Sequence, residues 1–157
     1  MHNTYTLDVT GIYRPSVPVQ HRDEEYNQSG FETLFKMQEK HFWYRGRHKF
    51  LLAAVDRYTA HLTGPLSAVD LGGGVGGWVR YLADRRTGRY DKIALADSSE
   101  TALKLAKGIL PEYTNRYQID LMNLGWENQW DTMFMLDVIE HLPDDTEAVR
   151  QAAKALK

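Results

Sequence analysis

Apolar and polar positions follow three successive patterns along the chain. Residues 1–30 are polar, carry Pro15 and Pro18, and alternate only at Tyr5, Leu7 and Val9, which predicts an N-terminal arm with room for one short strand. From Phe31 the spacing becomes helical. Leu51, Ala54, Val55, Tyr58 and Leu62 repeat at i, i+3, i+4, i+7 and i+11, the signature of one buried face, and Gly64-Pro65 ends that helix.

Strand and helix then alternate. Ser67–Leu71 reads as a buried strand, followed by a glycine cluster and a helix presenting Val79, Leu82 and Ala83. Lys92–Ala96 predicts a second strand, and a helix follows from about Ser99 to Gly108. Arg116–Ile119 and Thr132–Leu136 supply a third and a fourth strand. Pro143-Asp144-Asp145 opens a last helix, where carboxylates cap free N–H groups, with Val149, Ala152, Ala153 and Leu156 expected on its buried face. The alternation predicts an α/β fold, a mostly parallel sheet with helices on both faces, in a domain covering 31–157. Met133–Leu136 is apolar throughout, as a strand flanked on both sides would be. The sheet is therefore expected to be incomplete at its C-terminal side, with a longer domain or a second copy of the chain covering that edge.

Composition narrows the partners. The 157 residues are 43% hydrophobic and 25% charged, which suits one globular domain and excludes disorder and low complexity. Nineteen basic against 21 acidic residues leave a net charge of −2, so no broad field favours a nucleic-acid backbone, and Asp84–Arg89 reads as a solvated basic turn. No apolar run reaches the ~20 residues that span a bilayer. No membrane partner is expected. The first ten residues lack the basic and apolar regions of a secretory signal, and there is no cysteine, so a reducing, cytoplasmic location is expected. His2, His21 and His61 have no spacing that suggests a joint metal site, and Trp126 and Trp130 are expected to pack over the sheet edge.

The chemistry concentrates in Asp70-Leu71-Gly72-Gly73-Gly74-Val75-Gly76-Gly77, between a strand and a helix N-terminus. Glycines there let a ligand approach the backbone, and the helix start offers free N–H groups. Two templates fit. Gly72-x-Gly74-x-x-Gly77 with Asp97 about 20 residues on matches the dinucleotide fingerprint of an NAD-dependent oxidoreductase. Asp70-x-Gly72-x-Gly74-x-Gly76 matches the glycine motif of class I S-adenosylmethionine-dependent methyltransferases.

From His41 to Lys157 the chain resembles that methyltransferase family in four motifs in the right order: the glycine loop, Asp97 closing the second strand, Tyr117–Leu121, and Trp130–Pro143. The resemblance implies a Rossmann-like fold, S-adenosylmethionine as cofactor and a small-molecule acceptor. It places Asp70 near the methionine end of the cofactor, Asp97 on both ribose hydroxyls and Asp120 on the adenine amino group. Gly72, Gly73, Gly74, Gly76, Ser98 and Leu121 join them as cofactor contacts, and Asp137 as a residue of the cofactor or acceptor pocket. His41–His48 resembles a segment that precedes the glycine loop in some of these enzymes. There Arg47, or else Arg45, would grip the methionine carboxylate and an aromatic ring would face the sulfonium, against the alternative of a core Phe42 and Trp43. His141 is the candidate general base. No metal is expected, although Glu140 and His141 together resemble the magnesium pair of some O-methyltransferases. The family domain normally continues through further strands, so a cofactor-binding module without turnover is the alternative reading.

Overall fold

The computed structural model describes residues 3–19, 21, 30–38 and 40–157. His2 and the stretch 22–29 of the expected arm lie outside the described residues.

A six-stranded sheet organises the chain. The strands are β1 (Tyr5–Leu7), β2 (Tyr13–Pro15), β3 (Leu66–Leu71), β4 (Tyr90–Asp97), β5 (Asn115–Gln118) and β6 (Thr132–Phe134), in the spatial order β1-β2-β5-β4-β3-β6. Only β1 and β2 pair antiparallel. The helices are α1 (Gly30–Met37), α2 (Phe42–Tyr58), α3 (Gly77–Arg85), α4 (Glu100–Ala106) and α5 (Asp145–Ala155), with a 3-10 turn at Ile139–His141.

The central strands β3 and β4 separate two cores by the period-two alternation of their side chains. Val69, Leu71, Ala94 and Ala96 face one core, where Trp126 and Trp130 pack with Ala148, Ala152 and Ala155 of α5. Ala68, Ile93 and Leu95 face the other, closed by Leu52 of α2, Val79 and Leu82 of α3, and Leu103 and Ala106 of α4. A sheet covered on both faces needs such unbroken apolar strands. The expected mostly parallel α/β architecture is the one observed.

The N-terminal residues are built into this sheet. Asp8 accepts hydrogen bonds from the backbone N–H groups of Thr10 (2.8 Å) and Ile12 (3.0 Å), which fixes the β1–β2 turn. Tyr13 then pairs in parallel with Tyr117 of β5 and stacks on its ring at 4.5 Å. At the opposite end β6 is joined to β3. On its other side Trp130 makes an isolated parallel bridge to Leu156, and Lys157 N donates to Trp130 O at 3.0 Å.

Two helix faces differ from expectation. In α5 the buried residues are Ala148, Ala152 and Ala155, whereas Val149, Ala153 and Leu156 are exposed. The bulk of Trp130, wholly buried against this helix, selects the alanine stripe over the larger side chains. In α2 the buried residues are His48 and Leu52, with Leu51 and Val55 partly buried, while Ala54 and Tyr58 face outward. The helix ends at Tyr58, six residues before Gly64, so Leu62 packs from beyond it and the five-residue stripe is not one helix face.

Candidate functional site

A cavity of about 270 Å³ opens at the carboxyl ends of β3, β4 and β5, where ligands of open α/β sheets sit. It gathers Asp70, Gly72, Gly73, Gly74, Asp97, Ser98, Asp120, Leu121, Asp137, Arg47 and His141 into one lining. Gly76 lies behind it as the N-cap of α3, at φ 81°. Arg45 is exposed and outside the lining, as is Glu140, and no group of metal-ligating side chains occurs among the described residues.

The glycine loop is shaped by two close approaches. A Cβ at Gly73 would stand 2.5 Å from Asp70 Oδ2 and 2.5 Å from Leu95 Cδ1, and one at Gly72 (φ 71°) would stand 2.6 Å from Val138 Cγ2. Only glycine lets the loop lie flat on the end of β3. Asp97 is buried, and its two oxygens each accept one backbone N–H: Gly74 N to Oδ2 and Ser99 N to Oδ1, both at 2.8 Å. This fixes the carboxylate plane. Asp120 Oδ1 accepts from Met122 N at 2.9 Å, which holds its side chain at the end of β5.

Asp70 is the electrostatic centre. Burial, and then the charge of Asp97, push its carboxyl up to about 8, against the opposing pull of Arg47. Its Oδ1 has no hydrogen-bond partner. Gln38 Oε1 and Trp78 Nε1 are likewise buried and unpartnered, so three of the five such atoms among the described residues belong to side chains of this one cavity.

Helix α2 supplies the outer wall. Arg47 pairs with Asp137 Oδ2 at 2.5 Å, and its guanidinium lies 4.9 Å from the centroid of the Trp43 ring. Asp137 adopts φ 56°, a left-handed conformation for a residue with a Cβ. Neither Phe42 nor Trp43 is core: both are exposed, and Trp43 lines the cavity. His48 is buried beside Tyr81 (5.1 Å) and Trp78 (5.6 Å), and burial with the neighbouring Arg47 charge lowers it to about 4, so it is neutral at pH 7.

The lining also holds residues that the motifs do not signal. His21 Nδ1 lies 2.7 Å from Ser98 Oγ, and Val19, Phe31, Leu34, Gln38 and Trp78 close the same side. Gln38 packs against Gly77, where a Cβ would stand 2.1 Å from its Oε1.

Comparison with known proteins gives this geometry its context. Residues 69–157 match the family model described as a methyltransferase domain. No curated protein matches the chain. Among solved structures, a protein assigned as an S-adenosyl-L-methionine-dependent methyltransferase from Methanococcus maripaludis superposes with a TM-score of 0.70 at 16% identity, over 90% of this chain and 64% of that one. Magnesium protoporphyrin IX methyltransferase from Synechocystis, with S-adenosylhomocysteine bound, superposes with a TM-score of 0.64 at 20% identity, over 85% of this chain and 66% of that one. The chain thus spans about two thirds of the length of these two structures. With the family's glycine loop and strand-end acids assembled on its Rossmann-like sheet, the chain belongs to the class I S-adenosylmethionine-dependent methyltransferases.

Proposed function

We propose that this cavity binds S-adenosylmethionine and that the chain transfers its methyl group to a small-molecule acceptor. The observation that carries the reading is Asp97, buried at the end of β4 with each carboxylate oxygen oriented by one backbone N–H of the glycine loop or of α4. A carboxylate so held accepts two hydroxyl groups side by side. The unpartnered Asp70 Oδ1 and Gln38 Oε1 fit the same group, since both need donors and the methionine ammonium supplies them. A Cβ at Gly72 would strike Val138 and one at Gly73 would strike Asp70 and Leu95, so only glycine lets the loop pack beside these side chains.

In this reading Asp120 faces the adenine amino group, with Leu121 and Met122 against the ring, and Arg47 meets the methionine carboxylate. The bound cofactor supplies an electrophilic methyl on a sulfonium. Asp97, Asp70, Asp120 and Arg47 would hold the cofactor, and the chemistry it would supply is methyl donation to the acceptor, with sulfur as the leaving group. Positioning does most of the work, because two reactants must be held aligned at attack distance. The acceptor's proton, where it has one to lose, passes to His141, which lines the cavity at the end of the 3-10 turn. Trp43, Tyr44, Trp78 and Leu142 surround the remaining space with apolar surface.

The test is calorimetric titration with S-adenosylhomocysteine, with NAD as control. Saturable 1:1 binding that Asp97→Ala abolishes is expected. Binding of NAD in preference, or equal S-adenosylhomocysteine affinity in Asp97→Ala, overturns the reading.

A further inference from the structure

Helix α2 is apolar on two opposite sides. Its inner side, His48 and Leu52 with Leu51 and Val55, packs on the fold. At about 100° per residue, Phe42, Gly46, Phe50, Ala53 and Ala54 fall together on the outer side, with Trp43 at its margin. Nothing described covers them: Phe42 is 79% exposed, Phe50 84% and Trp43 48%, and a Cβ at Gly46 would meet no atom within 4 Å.

The charges around this face are mostly basic. Lys40, Arg45, Lys49 and Arg57 are exposed and form no ion pair among the described residues. The helix's one acid, Asp56, is engaged by Arg86. A second copy docked here would bring these cations against their equals, which disfavours self-pairing. Aromatic side chains beside free cations on one helix face suit an anionic bilayer, with the rings at headgroup depth and the cations on lipid phosphates.

We infer that the outer face of α2 docks on an anionic lipid bilayer. The expectation of no membrane partner rested on the length needed to cross a bilayer, and no helix of the described residues has that length. A helix lying in the interface plane needs only the face. Trp43, Tyr44, Arg47 and His48 of this same helix line the cavity, so docking sets its mouth against the lipid surface. Taken with the proposed methyl transfer, on which this last step rests, the acceptor is an amphiphile presented from the bilayer.

The experiment is co-sedimentation of the chain with vesicles of phosphatidylcholine and of an equimolar mixture of phosphatidylcholine and phosphatidylglycerol, together with tryptophan emission. Trp43 is the exposed tryptophan, whereas Trp78, Trp126 and Trp130 are buried. A blue shift on anionic vesicles, absent in Trp43→Phe, therefore reports docking of this face. Binding to the anionic vesicles that weakens with salt, and falls at least ~tenfold in Phe42→Ser/Phe50→Ser and in Arg45→Glu/Lys49→Glu, is expected. No binding to anionic vesicles, parent-like binding of the Phe42→Ser/Phe50→Ser variant, or a dimer in light scattering that this variant dissolves, overturns the proposal. S-adenosylhomocysteine titration of the Phe42→Ser/Phe50→Ser and Arg45→Glu/Lys49→Glu variants checks their fold, since none of these four residues lines the cavity. Vesicle binding by a parent chain that fails to bind S-adenosylhomocysteine would refute the methyl-transfer reading and the acceptor class while leaving the docking surface standing.

Discussion

Asp70→Asn tests the electrostatics of the site through folding alone. The carboxyl of Asp70 stands at about 8 in the folded chain against 3.8 as its ordinary value, raised first by burial and then by Asp97. Between those two pH values the folded state holds a proton that the unfolded chain has released, so stability falls as pH rises through that window and levels above it. Each unit of pH costs about 1.4 kcal/mol, so at pH 7 the penalty is about 4 kcal/mol. Asparagine fills the same volume and carries no charge in either state. The difference in unfolding free energy between Asp70→Asn and the parent is therefore expected to grow from pH 4 to pH 8 and then stay flat. Urea unfolding at a series of pH values measures it. Acids lowered by their partners, such as Asp131 and Glu147, lose their contribution in both proteins as the pH falls and cancel in the difference. A difference that is constant with pH, or that shrinks as pH rises, refutes the argument. The same substitution is expected to weaken S-adenosylhomocysteine binding, because the ionised carboxylate is the form that attracts an ammonium. A residue that costs stability and serves binding is what a functional site produces.

Two further substitutions probe the loop and the chemistry. In Gly73→Ala the new Cβ would stand 2.5 Å from Asp70 Oδ2 and from Leu95 Cδ1, so a stability loss of ~1–3 kcal/mol in urea unfolding and loss of S-adenosylhomocysteine binding are expected. His141→Ala is expected to slow methyl transfer by ~10²-fold or more while leaving S-adenosylhomocysteine affinity nearly unchanged, and equal rates in a steady-state assay would remove the base assignment.

What was legible in the sequence follows from what is local. Strands β3 and β4 are buried on both faces, so their apolar runs announce them, and the motif residues stand at the ends of strands or on the loops that follow them. Asp70, Gly72–Gly74, Asp97 and Asp120 therefore meet in one cavity as their order along the chain implies. What was not legible depends on contacts between distant segments. The pairing of β2 with β5 rests on Tyr13 meeting Tyr117, a register that no periodicity in an otherwise polar arm reveals. The buried stripe of α5 follows the shape of Trp130, a residue outside the helix, and small alanines win there over a valine that the pattern favours. The cavity divides the same way. Its floor is written in glycines and acids, because turns and strand ends demand particular residue types. Its wall comes from side chains with no such demand. Gln38 packs on Gly77 and His21 reaches Ser98, each placed by the docking of a helix or an N-terminal segment on the sheet.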